Sequence, residues 1–229
     1  MSVSEFTESK LNVHWFPGMG ADERLFKAIT VEGVVNHFHK WKFRPEARSL
    51  KDYAELLAHE IEGEHVVYIG SSMGGMMATE LMRVKPAMHL ILLSAPASPN
   101  EFPILLKSLG SLRVGRWMGP STLFKVNRLA NTFMGFKNPE DKQLFYEMLE
   151  GYGPEFLHYA VNAILEWKAK HPDFEYTQII GTEDKLFKMN KMRSAIPVEG
   201  SGHFMTWEQP KTLEALIQSE INRIRETLR

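Results

Sequence analysis

The sequence predicts an α/β protein: a mostly parallel sheet with helices on both faces. Three observations carry that expectation. Short apolar runs of strand length alternate with amphipathic segments of helical period. Two runs, Val66-Val67-Tyr68-Ile69 and His89-Leu90-Ile91-Leu92-Leu93, are near-continuously apolar, the pattern of strands buried on both faces. The 229 residues, 44% hydrophobic and 24% charged, have the length and balance of a soluble α/β domain.

The elements follow in order along the chain. Val13–Phe16 reads as a first strand, closed by the breaker-rich Pro17-Gly18-Met19-Gly20. A helix over about Asp22–Ile29 comes next, then a strand over Val34–Phe38. Ser49 stands where an N-cap belongs for a helix Leu50–Ile61, whose Tyr53, Leu56, Leu57 and Ile61 form one stripe. His65–Ile69 is a strand running into Gly70, and Met73–Val84 has helical period through Met73, Met76, Met77, Leu81 and Val84. Met88–Ser94 is a further buried strand, ended by Pro96, Pro99 and Pro103.

From there to Phe174 the chain reads as helices only. The clearest is Pro154–Lys170, with one stripe of Phe156, Tyr159, Ala160, Ala163, Ile164 and Trp167. Leu157, Val161 and Leu165 form a second, so this helix is expected to bury two faces. Phe174–Ile180 and Ser194–Val198 complete the strands, and Thr206–Leu228 is a closing amphipathic helix. The layout divides the chain into a core of residues 1–96 and 173–229 and a helical cap, 97–172, inserted between core strands. A separate helical domain is the alternative.

Charge and composition exclude several functions. Lys plus Arg number 27 and Asp plus Glu 28, a net charge of −1 that offers no global field to draw nucleic acid. With no Cys there is no disulfide, no thiolate–metal site and no cysteine nucleophile. No stretch approaches the ~18 apolar residues of a membrane span. The opening MSVSEFTESK has no basic region leading into an apolar run, so a cytoplasmic protein is expected. Nothing in the residues calls for a cofactor.

Gly70-Ser71-Ser72-Met73-Gly74 matches G-x-S-x-G with Ser72 at the nucleophile position. The letters alone arise by chance in roughly one chain in ten at average Gly and Ser usage. Context decides: the motif needs a strand before it and a helix after it, so that a strained turn exposes the hydroxyl. Both neighbours are predicted here. Ser71 shares the turn, but Ile69 stands two residues before it, where the motif needs glycine. A serine hydroxyl needs a base, and the base an orienting acid. Gly181-Thr182-Glu183-Asp184 places a carboxylate at a strand's carboxyl end, and Gly200-Ser201-Gly202-His203 places an imidazole in a small-residue loop. Nineteen positions (203 − 184) separate acid and base, enough for one short strand between them.

In this order the chain resembles the α/β-hydrolase superfamily over nearly its whole length. The resemblance implies Ser72 as nucleophile, His203 as general base and then acid, and Asp184 rather than Glu183 as the group that orients His203. It implies an oxyanion hole from the backbone N–H groups of Met73 and, in the first strand-to-helix loop, Met19. Many relatives carry His-Gly at the start of that loop, where this chain has Pro17-Gly18. About ten residues precede the first strand, too few for the hairpin that opens many members, so the hairpin is expected to be absent.

The implied activity is cofactor-free hydrolysis of a small-molecule ester or thioester with an apolar acyl or alcohol group. The same three residues also serve C–C hydrolysis, acyl transfer and lyase chemistry, and a non-catalytic binding protein could keep the architecture.

Other features read as structural. His37 and His39 alternate as strand residues do and could share a side; a metal would need a third ligand, and partly exposed strand histidines are the simpler reading. His14, His65 and His89 lie in or beside apolar runs, as histidines satisfied by local hydrogen bonds do. Lys185, Lys188, Lys191 and Arg193 form a basic run beside the acid loop, a solvated face or a site for an anion. Met19, Met73, Met76, Met77 and Met205 lie in or near the motifs, suited to an apolar pocket or to core filling.

Overall fold

The computed structural model describes residues 10–112, 136–192 and 194–228. Six strands, β1 (Leu11–Phe16), β2 (Val34–Phe38), β3 (Val66–Ser71), β4 (His89–Leu93), β5 (Thr177–Gly181) and β6 (Ile196–Val198), form one sheet in the order β2-β1-β3-β4-β5-β6. All five pairings are parallel, so among the described residues the sheet has no antiparallel strand. The helices are α1 (Leu50–Leu57), α2 (Met73–Val84), α3 (Ile104–Ser111), α4 (Pro139–Glu150), α5 (Pro154–Leu165), α6 (Met205–Glu208) and α7 (Pro210–Glu226).

The two near-continuous apolar runs are the central strands β3 and β4, buried at every residue. The edge strand β2 leaves Val35 and Phe38 exposed. Side chains alternate between sheet faces. The Tyr68 hydroxyl donates to the Lys85 carbonyl at the end of α2 (2.9 Å), which places α2 and its neighbour α1 on that face. His89 is level with Val67 and points the other way. There it meets Thr177 Oγ1 (2.9 Å), which donates to Glu220 of α7 (2.8 Å). Helices therefore cover both faces, and α7 buries Leu213, Ile217, Ile221 and Ile224 at helical spacing.

Register fixes where the chemistry can gather. Phe16 is level with Gly70, Ser71 with Leu93 and Gly181 with Val198, so the loops after these strands open at one edge. The chain steps outward from β1 to β2, then back past β1 to β3. At such a reversal the loops leaving β1 and β3 part, and a crevice opens between them.

Several elements are shorter than their periodicity suggests. Asp22–Ile29 forms only one 3-10 turn, Glu23–Phe26, capped by Asp22. The β-branched run Ile29-Thr30-Val31 resists helical continuation. Ser49 does cap α1, accepting from Asp52 N–H (3.2 Å), but the helix tightens to 3-10 geometry after Leu57. Pro154–Lys170 stops at Leu165, and Phe174–Ile180 pairs only from Thr177. The closing helix is broken between α6 and α7: Pro210 lacks an N–H and forces Gln209 out of helical geometry (φ −140°, ψ 57°). Between β4 and β5 the described residues hold helices and a 3-10 turn but no strand; residues 113–135 of the expected cap lie outside the described residues.

His37 and His39 gather with His14, whose ring stacks on theirs at 4.4 and 5.1 Å. His14 Nε2 donates to the Glu62 carbonyl (2.9 Å), which leaves its Nδ1 to accept from His39 Nε2 (2.8 Å). His37 Nε2 donates to Asn12 Oδ1 (3.0 Å). These nitrogens are engaged by the protein, and among the described residues no group of three or more metal-ligating side chains is arranged for a metal ion.

Burial pushes His14 down to about 4 and His39 down to about 4, with neighbouring imidazoles adding to it in both. Burial also lowers His89. His14 and His39 stay neutral in the fold down to about pH 4 but protonate more readily in the unfolded chain. The stability they contribute is therefore complete above about pH 6.5 and lost as the pH falls toward about 4. Urea midpoints are expected to fall through that window, with a shallower slope in His39→Gln. A midpoint constant across it would contradict this account.

Candidate active site

Ser72 sits where β3 turns into α2, with its backbone at φ 51° and ψ −120°. A side-chain-bearing residue held there costs about 1–3 kcal/mol, so neighbours must enforce the geometry. Ser72 N–H donates to the Leu93 carbonyl (3.0 Å), and its carbonyl accepts from Gly75 (3.0 Å) and Met76 (3.2 Å). A methyl group at Gly70 would run into the backbone of Gly74 and Gly75, and one at Gly74 into the Phe16 and Pro17 carbonyls. The glycines of the motif thus let strand, turn and helix approach closely enough to present the serine. Ser71, by contrast, is a buried residue of β3, level with Leu93.

Asp184 lies in the turn after β5, its N–H donating to the Gly181 carbonyl (3.1 Å). Its Oδ1 accepts from Leu186 N–H (2.8 Å) and Phe187 N–H (2.9 Å), and its Oδ2 lies 2.8 Å from His203 Nδ1. Burial pushes the Asp184 carboxyl up, but His203 and the two backbone N–H groups outweigh it and hold it below the usual carboxylate value. Ionised, Asp184 only accepts, so His203 Nδ1 carries the hydrogen and Nε2 is free to accept. That Nε2 lies 3.1 Å from Ser72 Oγ.

The structure therefore brings Ser72, His203 and Asp184 into one hydrogen-bonded line, with the His203 and Asp184 side chains only 4% and 0% exposed. Glu183 turns outward and pairs with Lys137 (3.1 Å).

Met73 opens α2, where the first N–H groups of a helix have no intrahelical acceptor. Met19 lines the cavity beside Ser72. Among the described residues neither backbone N–H donates a hydrogen bond. One residue that the sequence did not single out orients this loop. Trp41 Nε1 donates to both the Pro17 carbonyl (3.1 Å) and the Gly18 carbonyl (3.0 Å). The peptide is planar and trans, so a Gly18 carbonyl turned to Trp41 points the Met19 N–H the opposite way. No local motif marks Trp41, since it reaches the loop only by folding.

Ser72 and His203 open into a cavity of about 190 Å3. Its described walls are apolar apart from the two serines, the histidine and the Gly18 backbone: Leu25 and Met76 from the core, Leu106, Phe145, Val161 and Ile164 from α3 to α5, and Phe187 from the acid loop. Met19 and Met76 line it, whereas Met73, Met77 and Met205 are buried in the core. Lys185, Lys188 and Lys191 are exposed, and among the described residues none has an ion-pair partner; Arg193 lies outside the described residues.

A sequence profile described as the alpha/beta hydrolase family matches residues 16–216. The chain belongs to the alpha/beta hydrolase family. It is accordingly a hydrolase. No curated protein matches it in sequence.

Solved structures of this hydrolase's fold include a thermophilic esterase from Thermogutta terrifontis, 20% identical with a TM-score of 0.69 over 96% of this chain and 92% of that one. A lipase-esterase related protein from Clostridium acetobutylicum is 14% identical, with a TM-score of 0.69 over 93% and 95% of the two chains. A thioesterase from the prodiginine pathway of Streptomyces coelicolor is 14% identical, with a TM-score of 0.63 over 92% and 85%. Likeness at these identities shows the fold. Among the described residues no helix is long and apolar enough to cross a membrane.

Trp41→Phe keeps the ring and removes both hydrogen bonds to the loop. It is expected to cost about 1–2 kcal/mol in urea denaturation; an unchanged midpoint would mean that the loop is held otherwise.

Proposed function

We propose that this hydrolase cleaves an ester or thioester bearing an apolar acyl or alcohol group, through an acyl-enzyme on Ser72. The observation that carries this reading is the unbroken Ser72–His203–Asp184 line, with the serine held at positive φ at the mouth of an apolar cavity. Ser72 Oγ attacks the carbonyl carbon as His203 Nε2 takes its proton. Asp184 holds the ring in the required tautomer and stabilises the imidazolium. The N–H groups of Met19 and Met73 receive the oxyanion, a charge that exists only in the tetrahedral intermediate; such a donor contributes about 3–4 kcal/mol. His203 then protonates the leaving alcohol or thiol, and water attacks the acyl-enzyme by the same route. Residues 97–172 act as a cap whose helices form the roof over the acyl group. The esterases and thioesterases that share the fold favour both substrate classes equally.

A fluorophosphonate probe is expected to label Ser72 and no other residue, and Ser72→Ala to abolish p-nitrophenyl ester hydrolysis. Labelling elsewhere, or full turnover in the variant, would overturn the reading. Asp184→Asn is expected to lower kcat by roughly 10⁴-fold by analogy with triad enzymes, while Glu183→Gln stays near wild type. Along a graded acyl series, kcat/KM should rise roughly fourfold per added CH₂, the equivalent of ~0.8 kcal/mol, until the cavity is full. A flat series would remove the apolar acyl site.

A further inference from the structure

The residues that hold the His203 loop lie outside the hydrogen-bonded line. The side chain of Glu208 on α6 is only 7% exposed. Its Oε2 accepts from Gly202 N–H (2.8 Å) and Ser201 Oγ–H (3.3 Å), the two residues before His203. The same oxygen lies 3.3 Å from Lys137 Nζ. Lys137 also donates to the Gly200 carbonyl and lies 3.1 Å from Glu183, the residue before Asp184. One ammonium group therefore spans the loops that carry the imidazole and the carboxylate. Beside it, Phe136 stacks on Phe204 at 4.4 Å, and Phe204 stacks on Trp207 at 5.4 Å. Phe136 and Lys137 belong to the stretch between β4 and β5 that also supplies the cavity roof. Roof and histidine loop are thus joined at one place by an ion bridge and a ring stack.

We propose that Glu208 and Lys137 are positioning residues that set His203 against Ser72 and couple the roof to that setting. This rests on the Ser72 reading above. The bonds that Glu208 accepts fix the Ser201–Gly202 peptide and the Ser201 side chain just before His203, and a displacement of about 1 Å in such a group can cost 10²-fold in rate. Among the described residues, the charged groups about the His203 loop include Asp184 and Glu183 on the acid loop, Glu199 at the start of the His203 loop itself, Lys137 and Asp141 before and on α4, Glu208 on α6, and Glu23 and Arg24 on the 3-10 turn packed against α6. Lys137 offsets Glu183 and Glu208. Without it, two uncompensated carboxylates favour a protonated imidazole. Neutralising Glu208 does the reverse.

The test is the rate of fluorophosphonate labelling at Ser72 as a function of pH, which needs no known substrate. Glu208→Gln is expected to slow labelling roughly 10- to 100-fold and move the acid limb of the profile to lower pH. Lys137→Met is expected to move it to higher pH, Lys137→Arg to restore it, and the double variant to fall between the single ones. Lys137 is half-exposed, so its variants test the idea even if Glu208→Gln folds poorly. Wild-type rates and limbs in the Lys137 and Glu208 variants would overturn the proposal, as would slowing that only tracks a loss of folded protein. Absence of Ser72 labelling in the wild-type enzyme would instead defeat the reading beneath it.

Discussion

The strained turn at Ser72 is the constraint on which the rest depends. A residue at φ 51° does not hold itself there. It is held because β3 and β4 pair in register up to Leu93, whose carbonyl takes the Ser72 N–H, and because α2 starts at the next residue. The close approach of strand and helix needs glycine at 70 and 74, since the space a Cβ would take is filled by backbone. Sequence, strain and exposure of the hydroxyl are therefore one fact seen at three levels. The dipole of α2 adds partial positive charge where negative charge would develop.

Parallel register does the remaining assembly. Strands that end level with one another bring the loop of Met19, the turn of Ser72, the turn of Asp184 and the loop of His203 to one edge, although Asp184 and His203 lie more than 110 positions from Ser72. The order of strands opens the crevice between β1 and β3 at that edge. Above it, α3 to α5 contribute only apolar side chains to the described cavity wall. An apolar roof over a polar line strengthens each charge interaction beneath it, because little water is present to screen it.

Much of this arrangement is legible along the chain, for physical reasons. Strands buried on both faces announce themselves as near-continuous apolar runs; β4 lies within its predicted segment, and β3 matches its own but runs on past Ile69 to Ser71. The juxtaposition of Ser72, Asp184 and His203 follows from their places at strand ends. Less legible was whatever depends on a single breaker or a distant contact. Periodicity runs straight through residues 206–228, yet Pro210 divides the helix there. The pattern of 22–29 suits a helix, yet the segment makes only a 3-10 turn. Trp41, Lys137 and Glu208 carry no local signature, because each acts on a loop far from it in sequence or through bonds to backbone atoms.

The central claim is that Ser72 presents a nucleophile to a carbonyl whose oxygen is met by two backbone N–H groups. A crystal structure of the enzyme phosphonylated by an alkyl fluorophosphonate tests it most directly, since the adduct mimics the tetrahedral intermediate. The account predicts a covalent bond to Ser72 Oγ, the alkyl chain under α3 to α5, and one phosphonyl oxygen about 3 Å from the backbone nitrogens of both Met19 and Met73. A phosphonyl oxygen turned to solvent or to other donors, with the alkyl chain outside the cavity, would contradict it.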